Sequence, residues 1–295
     1  MKLSIVVICY NMQREAKRTL YSLSTAHQHG VTAEDYEVIA IDNGSTHPLA
    51  PDMVAGFGSN FRYHFHETTS VSPVDALNLG AEMARYDAIA MIVDGARMVS
   101  PGLVQWSLAA LRLNASAFDC SLSCHLGPDI QPRTTQQGYD QAREDAMLDE
   151  ANWRADGYQL FAISTIAPSS GVGFLGGFPT ECSWFCMPRS AFRALGGFNS
   201  AFQSPGGGQC NHEFRNRALS QSNLTPTVLL GEGVFHQVHG GTATNASPDQ
   251  RPHRLFKEEY RRIFGSDLDS FQPPGVVYLG NMPGVAGRFV LPKRT

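Results

Sequence analysis

Short apolar runs and amphipathic stretches take turns along the first part of this chain. Leu3 to Cys9 is a β-branched run that fits a central parallel strand. A helix should follow from Gln13 to Ser24, with Ala16, Leu20 and Leu23 on one face. Tyr36 to Ile41 reads as a second strand, and Asp42-Asn-Gly-Ser45 after it is a turn by composition. Phe61 to His66 alternates as a third strand should. Ser72-Pro73 opens a helix carrying Ala76, Leu77, Leu79, Gly80 and Met83, with proline at its first position. The apolar run Ala88 to Val93 is a buried strand that stops at Asp94, and Ser100-Pro101 opens a helix to Leu113. This β-α-β-β-α-β-α order predicts an α/β fold, a mostly parallel central sheet flanked by helices on both faces.

The second half is less regular. Strands are expected at Ala117 to Cys124, Trp184 to Met187 and Thr227 to Leu230. Helices are expected at Tyr139 to Asn152, Arg189 to Leu195, Asn211 to Gln221 and Arg254 to Phe264. Ser169 to Pro179 is too glycine-rich for either and predicts a mobile loop. The layout is one domain over residues 1–265, with a nucleotide-binding half at about 1–115 and an irregular acceptor-side half at 116–265. A Pro/Gly-rich extension, 266–295, should wrap the surface.

Composition narrows the classes. The 295 residues are 42% hydrophobic and 17% charged, which suits a globular chain with a large core. A formal charge of −4 argues against a dedicated nucleic-acid binder. The opening apolar run ends in Tyr10-Asn-Met-Gln-Arg14 without a small-residue cleavage site, so it reads as a strand rather than a signal peptide. No stretch approaches the roughly 18 apolar residues of a membrane span. The expectation is a cytoplasmic protein, free to act at the membrane periphery on a membrane-borne acceptor. Cys120/Cys124 and Cys182/Cys186 have C-x3-C spacing but lie in apolar strands, so buried thiols are expected over zinc. Asn43, Asn114, Asn223 and Asn245 begin Asn-x-Ser/Thr triplets, which carry no meaning in a protein that is not secreted.

Gly171-Val-Gly-Phe-Leu-Gly176 matches a dinucleotide fingerprint only formally, because Gly177-Phe-Pro179 prevents a helix from following. Neither a phosphate-binding G-x-x-x-x-G-K-[ST] loop nor a G-x-S-x-G elbow is present. Asp94 is the sharper signal. A carboxylate delivered to the end of a parallel strand sits where open α/β sheets bind ligands, and it suits Mg²⁺ or Mn²⁺. Asp42 stands at the same sheet edge, as a ligand contact or as a former of its own turn. His236 and His239, three apart among glycines, either satisfy local hydrogen bonds or complete a metal site. Glu213 follows the Gly206-Gly-Gly208 turn, and is either a general base or a helix-face partner of Arg217.

Taken together these segments resemble glycosyltransferase family 2, the inverting sugar transferases with a GT-A fold. Ser4-Ile-Val-Val-Ile-Cys-Tyr-Asn11 with Arg14 and Leu20-Tyr-Ser-Leu23 is similar to the family's first strand and helix. Val38 to Ser45 is similar to its second strand and nucleotide-contacting turn, and Asn78-Leu-Gly80 to the helix over the diphosphate. Asp94-Gly-Ala96 stands at the D-x-D metal motif. The likeness continues through Glu181, Gly196-Gly-Phe-Asn199, Gly206 to Glu213 and His236-Gln-Val-His239, covering residues 3–265. The resemblance implies a nucleoside-diphosphate-sugar donor held by Asp42, Asn78, Asp94 and the backbone of Ile8 to Tyr10. It implies a divalent ion, Mn²⁺ or Mg²⁺, on Asp94 with His236 or His239. Glu213 would be the base and a hydroxyl-bearing glycan or lipid-linked molecule the acceptor, bordered by Glu181 and Trp184. Two departures stand out: Ala96 replaces the second aspartate, and Gln209-Cys210 and Asn211-His212-Glu213 replace the usual Glu-Asp pair. Competing readings are a sugar nucleotidyltransferase, which lacks its Gly-rich basic loop here, and a non-catalytic nucleotide-sugar binding protein.

Overall fold

Residues 1–220, 223–241 and 252–291 are described in a computed structural model of the chain. The helix end expected at Gln221 and the triplet at Asn245 lie outside the described residues. The strands are β1 (Leu3–Cys9), β2 (Tyr36–Asn43), β3 (Phe61–His66), β4 (Ala88–Ile92), β5 (Arg97–Val99), β6 (Ala117–Leu126), β7 (Ser164–Ile166), β8 (Phe185–Pro188), β9 (Thr225–His236) and β10 (Val277–Gly280). The helices are α1 (Gln13–Ser22), α2 (Pro51–Ala55), α3 (Val74–Met83), α4 (Leu103–Leu113), α5 (Gln131–Thr134), α6 (Gln141–Glu150), α7 (Gln159–Ala162), α8 (Arg189–Ala194), α9 (Cys210–Ser220) and α10 (His253–Phe264).

One sheet runs β10-β9-β6-β8-β4-β1-β2-β3, with β5 added to β9 and β7 to β6. It is mostly parallel, as predicted. β8 runs antiparallel between β4 and β6, and β5 and β7 are antiparallel additions. Every residue of β1 and β2 is buried. The cause is cover on both faces: Val6 and Ile8 pack in the core beneath α3, while Ile5, Val7 and Cys9 pack in a second core with Leu20 of α1 and Leu108 of α4. A strand covered twice needs a continuous apolar run, which is why the first half was readable.

The second half departs from its sequence reading at three places. The strand expected at Thr227 to Leu230 continues to His236 through a register irregularity, opposite Cys120 to Leu122 of β6. Gly231 takes φ +71 in that irregularity, a backbone that side chains other than glycine resist. The extra residues turn the Glu232 carboxylate onto the start of α4, where it accepts from Ser100 Oγ at 2.5 Å and Gly102 N at 3.1 Å. The glycine-rich segment 169–179 is pinned, with Phe174 and Phe178 fully buried and Phe174 N bonded to Phe289 O at 2.9 Å. The carboxy-terminal extension wraps the surface but also contributes β10, parallel to β9. All six cysteines are buried and free. Among the described residues no helix is long and apolar enough to cross a membrane.

The irregular chain after β9 is held by polar contacts with α1 and α6. The Arg14 guanidinium meets Asp145 at 2.5 Å, Glu15 at 2.9 Å, Glu144 at 3.2 Å and the Val238 carbonyl at 3.3 Å. Glu144 in turn accepts from Val238 N at 2.9 Å, and Gln237 Nε2 donates to Glu15 O at 3.1 Å. Burial pushes the Glu144 carboxyl up to about 7, against the pull of Val238 N–H and Arg14. Removing the guanidinium strands this acid. Arg14→Met should therefore lower the unfolding free energy by about 3 kcal/mol in urea denaturation. A loss below about 1 kcal/mol would mean that the network does not fasten the loop.

Asp119, on β6, is fully buried; its Oδ1 accepts from Ser107 Oγ at 2.9 Å while Oδ2 has no partner. Burial raises its carboxyl to about 7. A carboxyl raised in the folded state contributes stability at low pH, and that contribution drains away as pH climbs from about 4 through about 7. Asp119→Asn should have the higher Tm at pH 8, with the gap closing toward pH 5. A gap independent of pH would sink this account.

Candidate active site

Asp94 stands just beyond β4, at the carboxyl end of the parallel strands. Its position depends on a close passage: Gly95 N donates to Ile8 O at 2.7 Å, and a Cβ at residue 95 would come within 2.7 Å of both Ile8 O and Cys9 Sγ. Asp94 Oδ1 accepts from Ala96 N at 3.0 Å, which turns Oδ2 away toward two imidazoles. His236 Nε2 lies 2.9 Å and His239 Nε2 3.4 Å from Oδ2, and the two ring nitrogens are 3.2 Å apart. Strand pairing makes this meeting possible. Arg97 of β5 and His125 of β6 both register with His236 of β9.

His236 is 2% exposed, and its Nδ1 sits 2.5 Å from Gln131 Oε1. Burial lowers the His236 imidazole to about 4 even though Asp94 pulls the other way. Burial by itself would raise Asp94, yet the two imidazoles hold it well below the usual carboxylate range. His239 is raised, its burial being outweighed by the Asp94 charge. The carboxylate and the His236 ring are thus in direct contact at 2.9 Å, with the His239 nitrogen alongside. The three ligand atoms lie within 4.8 Å of one another, and a divalent ion fits this donor set. Ala96 is fully buried, its carbonyl accepting from Gln237 N at 2.8 Å, so residue 96 does not face the site. His236, at the end of β9, and His239, just beyond it, are the groups that join Asp94.

These groups line a cavity of about 480 Å³ together with Ile8, Tyr10, Asn43, Arg97, Glu181 and Asn211. Among the described residues, Asp94 and Glu181 are the carboxylates on its wall. Glu181 is 29% exposed, near Asn211 Nδ2 at 3.4 Å and His212 Nε2 at 3.9 Å. Burial would raise its carboxyl, but the fields of His212 and Arg97 leave it below the usual value. Arg97 Nε lies 4.0 Å from Asp94 Oδ2 and puts a cation on the same wall.

The structure thus brings together Ile8, Tyr10, Asp94, Glu181, His236 and His239. It places four other expected site residues outside the lining. Asp42 is fully buried and spends both oxygens on its own turn, accepting from Ser45 N at 3.1 Å and Leu49 N at 2.8 Å. Asn78 pairs with the Phe198 backbone, at 2.9 Å in each direction. Trp184 is fully buried and donates Nε1–H to Ser107 Oγ at 3.1 Å. Glu213 makes a two-pronged pair with Arg217, at 2.7 and 3.0 Å, beside a separate depression at Gly196 to Ser200. The helix-face alternative for Glu213 and the turn-forming alternative for Asp42 describe these contacts.

Asn43 and Arg97 are the wall residues that sequence reasoning passed over. Asn43 lines the cavity, is 5% exposed, donates Nδ2 to Ser72 O at 3.2 Å, and has a buried Oδ1 without a partner. The signal was strand phase: if Asp42 turns inward, its neighbour turns out.

Comparison with known proteins agrees with this architecture. Residues 4–104 match the family model for Glycosyl transferase family 2. Validoxylamine A glucosyltransferase of Streptomyces hygroscopicus subsp. limoneus is 29% identical over 213 residues, 70% of this chain and 45% of the relative. Its counterpart from S. hygroscopicus subsp. jinggangensis (strain 5008) is also 29% identical, with 49% of its length covered. The chain therefore spans less than half the length of these relatives. Among solved structures, S. aureus TarS superposes with a TM-score of 0.55 at 16% identity, over 92% of this chain and 41% of TarS. TarS 1–349 in complex with UDP-GlcNAc gives 0.55 at 14% identity, over 92% of this chain and 68% of that one. In its first third the chain thus matches glycosyltransferase family 2, its relatives are named as glucosyltransferases, and its mostly parallel sheet is similar to the TarS fold.

Proposed function

We propose that this protein is an inverting glycosyltransferase, assisted by a divalent metal, that moves a sugar from a nucleoside-diphosphate donor to a hydroxyl acceptor. The observation that carries the reading is the meeting of Asp94, His236 and His239 on one cavity wall with Glu181 and Arg97. The two relatives are named as glucosyltransferases and one structural neighbour holds UDP-GlcNAc, which supports a nucleotide-sugar donor here. Residues 1–265 act in this reading as one domain, with the donor lying along the carboxyl ends of β2, β1 and β4.

The nucleoside lies at the Tyr10 and Asn43 end. Tyr10 is 49% exposed at the cavity rim and offers an aromatic face, with Asn43 on the same wall. Arg97 and the Asp94–His236–His239 cluster face the diphosphate. An ion held by those three residues would supply Lewis-acid stabilisation of the charge on the departing diphosphate. The acceptor hydroxyl approaches from the Glu181 side. As its oxygen bonds to the anomeric carbon, the bond from that carbon to the diphosphate oxygen breaks, and the hydroxyl proton passes to Glu181. One displacement inverts the anomeric centre. A depressed carboxyl keeps Glu181 ionised at neutral pH, ready to accept the proton.

Glu181 is preferred to Glu213 as base because a base must reach the reacting proton, and the Glu213 carboxylate is bound to Arg217 away from the cavity. Glu181→Gln should keep donor affinity in a thermal-shift titration while turnover falls about 10²–10⁴-fold. Glu213→Gln should lose stability but keep turnover; the reverse pattern would return the base to Glu213. Asp94→Ala should abolish transfer with the fold intact by circular dichroism. Donor binding without transfer to any hydroxyl acceptor would instead make the protein a nucleotide-sugar binder.

A further inference from the structure

Gln131 is a fully buried amide at the start of α5, reached from no part of the cavity wall. Its backbone carbonyl accepts from Thr135 Oγ1 at 2.8 Å, and its other three polar groups are committed to histidines. Gln131 N donates to His125 Nδ1 at 2.9 Å, Nε2 donates to the His236 carbonyl at 2.8 Å, and Oε1 lies 2.5 Å from His236 Nδ1. A backbone carbonyl can only accept, so the amide nitrogen must face it and the amide oxygen must face the ring. His236 Nδ1 is then a donor. In the neutral imidazole the lone pair is on Nε2, the atom aimed at Asp94 and His239. Without this bond the ring could carry its proton on Nε2, donate it to Asp94 and cease to be a ligand.

We propose that Gln131 is a positioning residue of the metal site: by holding His236 in its Nδ1-protonated form, it makes a centre of one carboxylate and two imidazoles that takes first-row transition ions in preference to Mg²⁺. The inference rests on the metal-assisted reading of the Asp94 cluster. The chemistry follows from the ligands. Mg²⁺ favours oxygen donors and keeps its waters, whereas imidazole nitrogens favour ions later in the first row, in the order Mn²⁺ below Co²⁺. The hydrogen bond to Nδ1 also raises the basicity of Nε2, as partners of ligating histidines do.

The test is calorimetric titration of the nucleotide-free protein with Mn²⁺, Co²⁺ and Mg²⁺, together with the visible absorption of bound Co²⁺. Wild type should bind Co²⁺ more tightly than Mn²⁺ and Mn²⁺ more tightly than Mg²⁺. Gln131→Met, close in volume but with no acceptor, should weaken Mn²⁺ and Co²⁺ by about 10–100-fold and leave Mg²⁺ nearly unchanged. Gln131→Glu restores an acceptor to Nδ1, though not the donor to the His236 carbonyl, and should bind transition ions more tightly than the methionine variant. Mg²⁺ binding as tight as Mn²⁺ in wild type, or a folded methionine variant with wild-type Mn²⁺ affinity, would overturn the proposal. If Asp94→Ala abolishes Mn²⁺ binding while Gln131→Met does not, Gln131 alone loses its role. A wild type that binds none of the ions removes the metal reading together with the inference.

Discussion

Everything at this site depends on two parts of the chain 142 residues apart meeting at 2.9 Å. Asp94 comes from the end of β4, and His236 from the end of β9, three strands away in the sheet path. The short strand β5 closes the distance. It leaves β4 just after Asp94 and pairs with the last residues of β9, so that Arg97 and His236 face each other. The bulge in β9 sets the phase of that pairing. One residue more or less would turn the His236 ring to the opposite face of the sheet.

The meeting of one carboxylate with two imidazoles concentrates polar atoms in a small buried space, and the surroundings are built to hold it. Gln131 and His125 support His236 from behind. Arg14, Glu144 and Gln237 fasten the loop that carries His239. Most of these groups are buried and hydrogen-bonded, so they resist displacement of the cluster. The geometry of the cluster is held by buried polar contacts across α1, α5, α6 and β9, with the hydrophobic layers supplying the rigid platform beneath.

The legible part of the fold was the part with one repeating rule. β1, β2 and β4 are covered on both faces, so their sequence must be apolar throughout, and their ends must be where polar residues begin. That rule located Asp94, Tyr10 and the turn after β2 directly. It could not decide between Asp42 and Asn43, because both stand at the end of one strand and only backbone contacts reveal which side chain the turn consumes. The strand expected at Thr227 to Leu230 stops before Gly231-Glu-Gly233, because glycines usually interrupt pairing. Here they let β9 bulge and continue. Glu213 illustrates a different limit, since a carboxylate four residues before an arginine on a helix is equally suited to an ion pair and to catalysis until its neighbours are known.

By itself the sequence determined the α/β class, the helices over the first four strands, and the lone carboxylate at a sheet edge. Each follows from local periodicity, which chain connectivity guarantees. Only the tertiary structure decided that two histidines complete the Asp94 cluster, that Glu181 shares its cavity, and that Glu213 and Asp42 are occupied elsewhere. Those outcomes come from register between distant strands and from competition for buried hydrogen bonds. Neither leaves a mark at fixed spacing along the chain.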